Sequence, residues 1–115
     1  MSDLNIQISD GIKSTKIIIL TGEMDEESIE KLKEAINEPF NDINIKSIIF
    51  DLSDLEFINS KGIGYLVSVH THLSKDKRQL ILTSAREVVM DVISLVGLTS
   101  IIKYYDTTEE ALANL

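Results

Sequence analysis

The chain is predicted to fold as an α/β domain around a mixed, mostly parallel sheet, with elements in the order ββαβαβαβα. Three observations predict this. Short β-branched runs alternate with stretches in which apolar residues recur every three or four positions. The first two strand-like runs follow each other with no helix between them, so the sheet opens with a hairpin. No repeat, low-complexity segment or Pro/Gly/Ser-rich linker divides the 115 residues. One domain is therefore expected over 1–115, with its core from residue 5 onward.

Each element has a local reason. Asn5–Asp10 sets Ile6 and Ile8 against Gln7 and Ser9, the alternation of a half-buried strand. Gly11 marks a turn, and Thr15–Leu20 is β-branched enough to read as the second strand. Asp25 or Glu26 opens a helix whose acidic first turn suits the helix dipole. Ile29, Leu32, Lys33 and Ile36 follow at helical spacing, with Ala35 and Phe40 extending the apolar face. Pro39 lies at or beyond the end of that helix. Ile48–Leu52 is compactly apolar, as a central strand buried on both faces would be. Ser60–Leu73 predicts a helix with Ile63, Leu66, Val67, His70 and Leu73 on one side. Gln79–Thr83 is the next strand, and Arg86–Val96 the next helix, stopped by Gly97. Ile101–Tyr104 is a short strand, after which Thr107 or Thr108 caps a last helix.

Composition narrows the function classes. Apolar residues make up 43% and aromatics 5%, so the core must be built from Ile, Leu and Val. Cysteine is absent, which excludes disulfides and thiolate metal sites and suits the cytoplasm. Met1–Asp10 lacks the basic region and apolar run of an export signal, and no apolar run is long enough to span a bilayer. A cytoplasmic protein with no direct membrane insertion is expected, and a monomer by default. The net charge of −8 argues against nucleic acid and favours a partner with a basic face. Lys75, Lys77 and Arg78 form the only basic cluster and read as a solvated turn.

Catalytic and cofactor motifs are missing. His70 and His72 stand two apart on a predicted helix and point to different sides, so they cannot share a metal; one is expected to be partly buried and one exposed. There is no HExxH, no calcium loop and no GxxxxGK[ST]. Gly62 and Gly64 are only a fragment of a dinucleotide fingerprint, because position 67 is Val. A phospho-acceptor receiver domain would need an early acidic pair, and Ile18-Ile19-Leu20-Thr21 supplies none. No enzyme activity, cofactor or metal is expected.

The informative stretch runs from Ile48 to Leu66, where a buried strand feeds an acidic loop that delivers Ser60 to a helix N-terminus. A phosphate on that hydroxyl would meet unpaired backbone N–H groups and the positive end of the helix dipole. The fold would survive while the surface gained a bulky dianion, with Asp51, Asp54 and Glu56 sharpening the repulsion of a partner. Alternatively Ser60 is simply the helix N-cap, a position serine favours. Gly62 and Gly64 each cost about 1 kcal/mol in a helix relative to Ala. Either close approach by another chain or tight packing on the sheet would account for them.

Asp51-Leu52-Ser53, Phe57-Ile58 and Asn59-Ser60-Lys61-Gly62-Ile63-Gly64 resemble the signature of the STAS domain, the family of anti-sigma factor antagonists. Leu20-Thr21-Gly22-Glu23-Met24-Asp25, Ser94-Leu95-Val96-Gly97-Leu98 and the closing Tyr105–Ala111 segment are similar to other parts of its pattern. The likeness covers residues 5–115. Two positions depart from it: Asn59 replaces the usual Asp, and Lys61 a residue that is often Ser or Thr.

The resemblance implies a binding cycle. The unphosphorylated protein binds an anti-sigma factor that is also a serine kinase, which frees the sigma factor. Phosphorylation of the serine matching Ser60 ends the binding, and a serine phosphatase resets it. ATP and Mg²⁺ belong to the partners. The contact surface implied by the fold comprises Glu23, Met24 and Asp25 with Asn59, Ser60, Lys61, Gly62, Ile63, Gly64 and Tyr65. Met24, Ile63 and Tyr65 would supply an apolar patch, with Tyr65 exposed; Met24 as a core filler and Ile63 facing the sheet are the other readings. A subunit of a lipid transporter or sensory assembly, with Ser60 an unphosphorylated interface residue, is the alternative function. A ligand-binding STAS module is a third, which no pocket-forming motif supports.

Overall fold

The computed structural model describes residues 3–115. Its elements are β1 (Leu4–Asp10), β2 (Thr15–Met24), α1 (Glu26–Ala35), α2 (Asn37–Asn41), β3 (Ser47–Ile58), α3 (Ser60–Lys75), β4 (Gln79–Thr83), α4 (Glu87–Leu95), β5 (Lys103–Tyr105) and α5 (Thr108–Ala113). One five-stranded sheet has the spatial order β1-β2-β3-β4-β5. β1 and β2 pair antiparallel, and all later pairs are parallel. The expected order of elements stands, with α2 and a 3₁₀ turn at Leu98–Ser100 as additions.

Strand alternation divides the core between the two faces of the sheet. Ile48, Phe50, Leu80 and Leu82 pack with Leu32, Leu66, Val69, Val89 and Ile93 from α1, α3 and α4. Ile49 and Ile81 face the other way, against Ala111 and Leu112 of α5. Central β3 is thus buried on both faces, as its unbroken apolar run requires.

Several local expectations are corrected. β3 does not end at Leu52: it continues to Ile58, and β2 continues to Met24 beside it, with register shifts after Ile19 and after Gly22. The expected acidic loop is therefore strand. Long-range pairing overrides the polar composition there, because the backbone groups of Thr21–Met24 and Asp54–Ile58 satisfy one another. Gly22 is required in this stretch. Its φ is +118°, and a Cβ would stand 2.2 Å from the Asp3 carbonyl oxygen.

The buried face of α3 is Gly62, Leu66, Val69 and Leu73, one position round from the expected stripe. His70 and His72 are both half-buried, and His72 stacks on Phe40 with ring centroids 4.0 Å apart. Arg78 is not part of a solvated turn. It is buried, and its guanidinium donates to the carbonyl oxygens of Ile45 (2.7 Å), Phe40 (2.8 Å) and Pro39 (2.6 Å). Those carbonyls lie at and beyond the end of α2, where a helix leaves acceptors unfilled. Burial pulls the Arg78 pKa below its ordinary value, against the opposing influence of Asp76 and Asp42.

Candidate functional site around Ser60

The site begins with a helix cap. Asn59 has extended backbone, and its Oδ1 accepts from the Gly62 amide at 3.0 Å. Its carbonyl accepts from Ile63 N at 3.0 Å. Asn59 is therefore the N-cap of α3, and Ser60 is the first helical residue. The alternative in which Ser60 caps the helix is corrected: two adjacent residues both suit the position, and the longer carboxamide takes it. Ser60 is exposed, and its hydroxyl makes no hydrogen bond among the described residues. The amides of Ser60 and Lys61 precede any possible intrahelical acceptor, so they too have no hydrogen-bond partner among the described residues.

A second helix start lies beside the first. Asp25 caps α1, with Oδ1 accepting from Glu27 N and Ser28 N at 3.1 Å each. Ser28 Oγ closes a capping box with Asp25 N at 3.0 Å and donates to the Glu23 carbonyl at 2.7 Å. Of the two candidates for opening this helix, Asp25 is the cap and Glu26 the first helical residue. The parallel pairing of Met24 with Ile58 brings the two starts together. Asn59 N donates to the Met24 carbonyl at 3.2 Å, and Asn59 Nδ2 donates to Glu26 Oε2 at 3.1 Å.

The two glycines of α3 differ. A Cβ on buried Gly62 would stand 2.6 Å from Ile58 Cγ1 and 2.9 Å from the Met24 carbonyl oxygen. Gly62 therefore lets α3 lie down on the strand ends. Gly64 is exposed, with nothing within 4 Å of where its Cβ would be. Among the described residues, no packing requires it.

The expected contact residues do not form one surface. Glu23, Ser60, Lys61 and Gly64 are exposed. Asn59, Asp25, Ile63 and Tyr65 are half-buried, and Ile63 and Tyr65 pack against the core. Met24 is fully buried and belongs to the core, so it supplies nothing to an exposed patch. Its place on β2, inward-facing and opposite Ile58, is the reason. Two of the three acidic residues expected beside Ser60 are engaged elsewhere: Asp51 accepts from Thr108 at 3.1 Å, and Asp54 pairs with Arg86 at 3.7 Å, while Glu56 is exposed.

A groove missed in the sequence runs between α1 and α3. One part, about 260 Å³, is lined by Glu26, Ile29, Glu30, Lys33, Lys61, Tyr65 and Ser68. A second part, about 310 Å³, shares Lys33, Tyr65 and Ser68 and continues past Phe40. Its signal lay in helical spacing: positions 26, 29, 30 and 33 share one helix face, and 61, 65 and 68 another. Tyr65 is not the open side chain expected. Its phenol pKa is raised, first by burial and then by the Glu30 charge. The Lys33 ammonium stands 6.0 Å from its ring centroid while pairing with Glu30 at 3.3 Å. Among the described residues, no group of three or more His, Asp or Glu side chains is placed to hold a metal. Among the same residues, no helix is long and apolar enough to cross a membrane.

Known proteins share this fold. A protein of Thermotoga maritima named for anti-sigma factor antagonism is 31% identical over 96 residues, spanning 84% of this chain and 85% of its own length. The crystal structure of an anti-sigma factor antagonist from Mycobacterium paratuberculosis superposes with a TM-score of 0.86 at 23% identity, covering 97% of this chain and 93% of that one. The unphosphorylated form of the antagonist SpoIIAA gives 0.79 at 25% identity, covering 96% and 95%. The phosphorylated form of SpoIIAA, a cell fate determinant of Bacillus, gives 0.73 at 24%, covering 96% and 98%. The STAS domain family model matches residues 3–111. By that match across nearly its whole length, the chain belongs to the STAS domain family.

Proposed function

We propose that this protein is an anti-sigma factor antagonist whose binding is switched at Ser60. Unphosphorylated, it binds an anti-sigma factor serine kinase in the cytoplasm and releases a sigma factor. Phosphorylation of Ser60 ends that binding, and a serine phosphatase restores it. The protein is the substrate and ligand of these partners and supplies no catalytic group or cofactor.

One observation carries the reading. Ser60 stands exposed at the first position of α3 with its hydroxyl unused, because Asn59 does the capping. Phosphorylation there costs the fold no cap. The new oxygens would lie beside the unpartnered amides of Ser60 and Lys61 and within the favourable end of the helix dipole. The added charge would meet a surface already rich in carboxylates, Glu23 and Glu26 among them, chosen to suit a basic partner. Gly64 supports the same surface, since an exposed helical glycine without an internal contact leaves room for another backbone. The sequence likeness to the Thermotoga protein and the resemblance to SpoIIAA, solved in both phosphorylation states, support the class of function.

The test is capture from native lysate with the wild-type protein and with Ser60→Glu as baits, followed by incubation of the captured kinase with ATP. Retention of a serine kinase by wild type, its loss from the Glu variant, and phosphate mapped to Ser60 are expected. Equal capture of transporter or sensory subunits by both baits would overturn the switch and favour an assembly in which Ser60 is an unmodified contact.

A further inference from the structure

We infer that Asn59 is a positioning residue for partner recognition: its carboxamide holds the Glu26 carboxylate at the α1–α3 groove, where that carboxylate meets a basic side chain of the partner. The inference rests on the proposed kinase-binding function and names the charged contact within it.

The residue type at position 59 carries the argument. The side chain there does two things at once. Its Oδ1 accepts from Gly62 N at 3.0 Å, and its Nδ2 donates to Glu26 Oε2 at 3.1 Å. Asn, Asp, Ser, Thr and Gly all serve as N-caps. Of these, only Asn carries an acceptor and an N–H donor on separate atoms of one rigid plane. An ionised Asp would cap equally well but has no donor, and would set a second carboxylate against Glu26. Capping alone therefore does not call for Asn; the bond to Glu26 does.

The bond has a further consequence for Glu26. A first-turn glutamate on a helix surface ordinarily samples several rotamers, and fixing it forfeits that freedom. Here the Asn59 amide, at the cap of the neighbouring helix, already holds one of its oxygens. Glu26 lines the groove with Lys61, Tyr65 and Ser68, and Lys61 directly follows exposed Ser60 in α3. Its Oε2 is held by Asn59, and a carboxylate has acceptor capacity for further donors. Groove lysines do not neutralise it, since Lys33 is turned to Glu30 and Lys61 makes no ion pair among the described residues. A preorganised carboxylate beside a half-buried tyrosine ring suits a guanidinium or ammonium group, by charge-assisted hydrogen bonding. The net charge of −8 favours a basic partner as a whole.

The test moves the charge across the bond. Wild type, Glu26→Gln, Asn59→Asp and the double variant Asn59→Asp/Glu26→Gln are compared for unfolding midpoint and for affinity to the serine kinase captured as above, at two salt concentrations. In the double variant the bond persists with its polarity reversed, and the carboxylate sits at position 59 instead of 26. Its unfolding midpoint is expected to return to the wild-type value. Its affinity is expected to stay about tenfold down, as in Glu26→Gln, with a weaker salt dependence than wild type. Asn59→Asp, which unpins Glu26, is expected to lose about fivefold.

Affinities that simply follow the unfolding midpoints would make Asn59 a structural cap and overturn the inference. So would wild-type affinity in Glu26→Gln, or in Asn59→Asp. In each of these cases the kinase still binds wild type and the proposed function stands. If no kinase binds wild type at all, the proposed function fails and this contact fails with it.

Discussion

The two ends of α3 handle polar groups in opposite ways. Just beyond its C-terminus, Arg78 is buried, and three backbone carbonyls from Pro39, Phe40 and Ile45 absorb its donors. At its N-terminus the Ser60 hydroxyl and the first two amides have no hydrogen-bond partner among the described residues, and the cap beside them also holds Glu26. A charge saturated by its own chain fixes the fold. Donors left open at a surface are available to something else. The contrast separates a structural arginine from a candidate switch more sharply than residue type does, since from sequence Arg78 looked exposed and capping was the alternative reading of Ser60.

Variants along α3 should break this contrast in a definite order. Arg78→Ala strands three carbonyls and should lower unfolding free energy by about 3–4 kcal/mol, measured by urea titration. Arg78→Lys should recover about half at most, because one ammonium cannot span the three acceptors. Partner capture by whatever fraction remains folded should be unchanged. At the other end, Gly62→Ala forces a methyl against Ile58 and the Met24 carbonyl. After the gain in helix propensity, a net loss of about 1–2 kcal/mol is expected. Gly64→Ala meets nothing and should stabilise by about 0.5–1 kcal/mol while weakening partner capture. A stabilised Gly64 variant that binds as well as wild type would show that the open face of α3 is not approached closely.

Two smaller effects sharpen the structural side. Thr15 is buried, and its hydroxyl has no hydrogen-bond partner among the described residues. Thr15→Val keeps the shape and removes that unsatisfied group, so a gain of about 1 kcal/mol is expected in the same titration. Tyr65 has its phenol pKa raised by burial and by Glu30. The neutral phenol is therefore favoured in the folded state. Its contribution is fully present below the ordinary value of 10.0 and is lost as pH rises from there toward the folded-state value. Unfolding midpoints measured from pH 8 to 11 should fall at the alkaline end, and Tyr65→Phe should flatten part of that fall. An identical slope in the variant would assign the alkaline loss to other groups, Tyr104 among them, whose pKa burial also raises.

Legibility followed the range of the interaction. The acidic first turn of α1, Gly97 after α4 and Thr107 before α5 are local patterns, and each appears where the sequence places it, whereas the buried stripe of α3 and the start of β5 at Lys103 are shifted from the expected positions. The segment around Ser60 was legible as a strand-to-helix delivery for the same reason. What the sequence by itself determined was thus the order of elements, the aliphatic core and the neighbourhood of the candidate site. Tertiary structure alone decided the rest. It extended β3 through Asp54–Ile58 by pairing with β2, and it took Met24 into the core. It buried Arg78 by offering carbonyls more than thirty residues away, and it set Glu26 within reach of the Asn59 amide. Each of these rests on partners distant in sequence, and periodicity and propensity carry no information about which distant groups will meet.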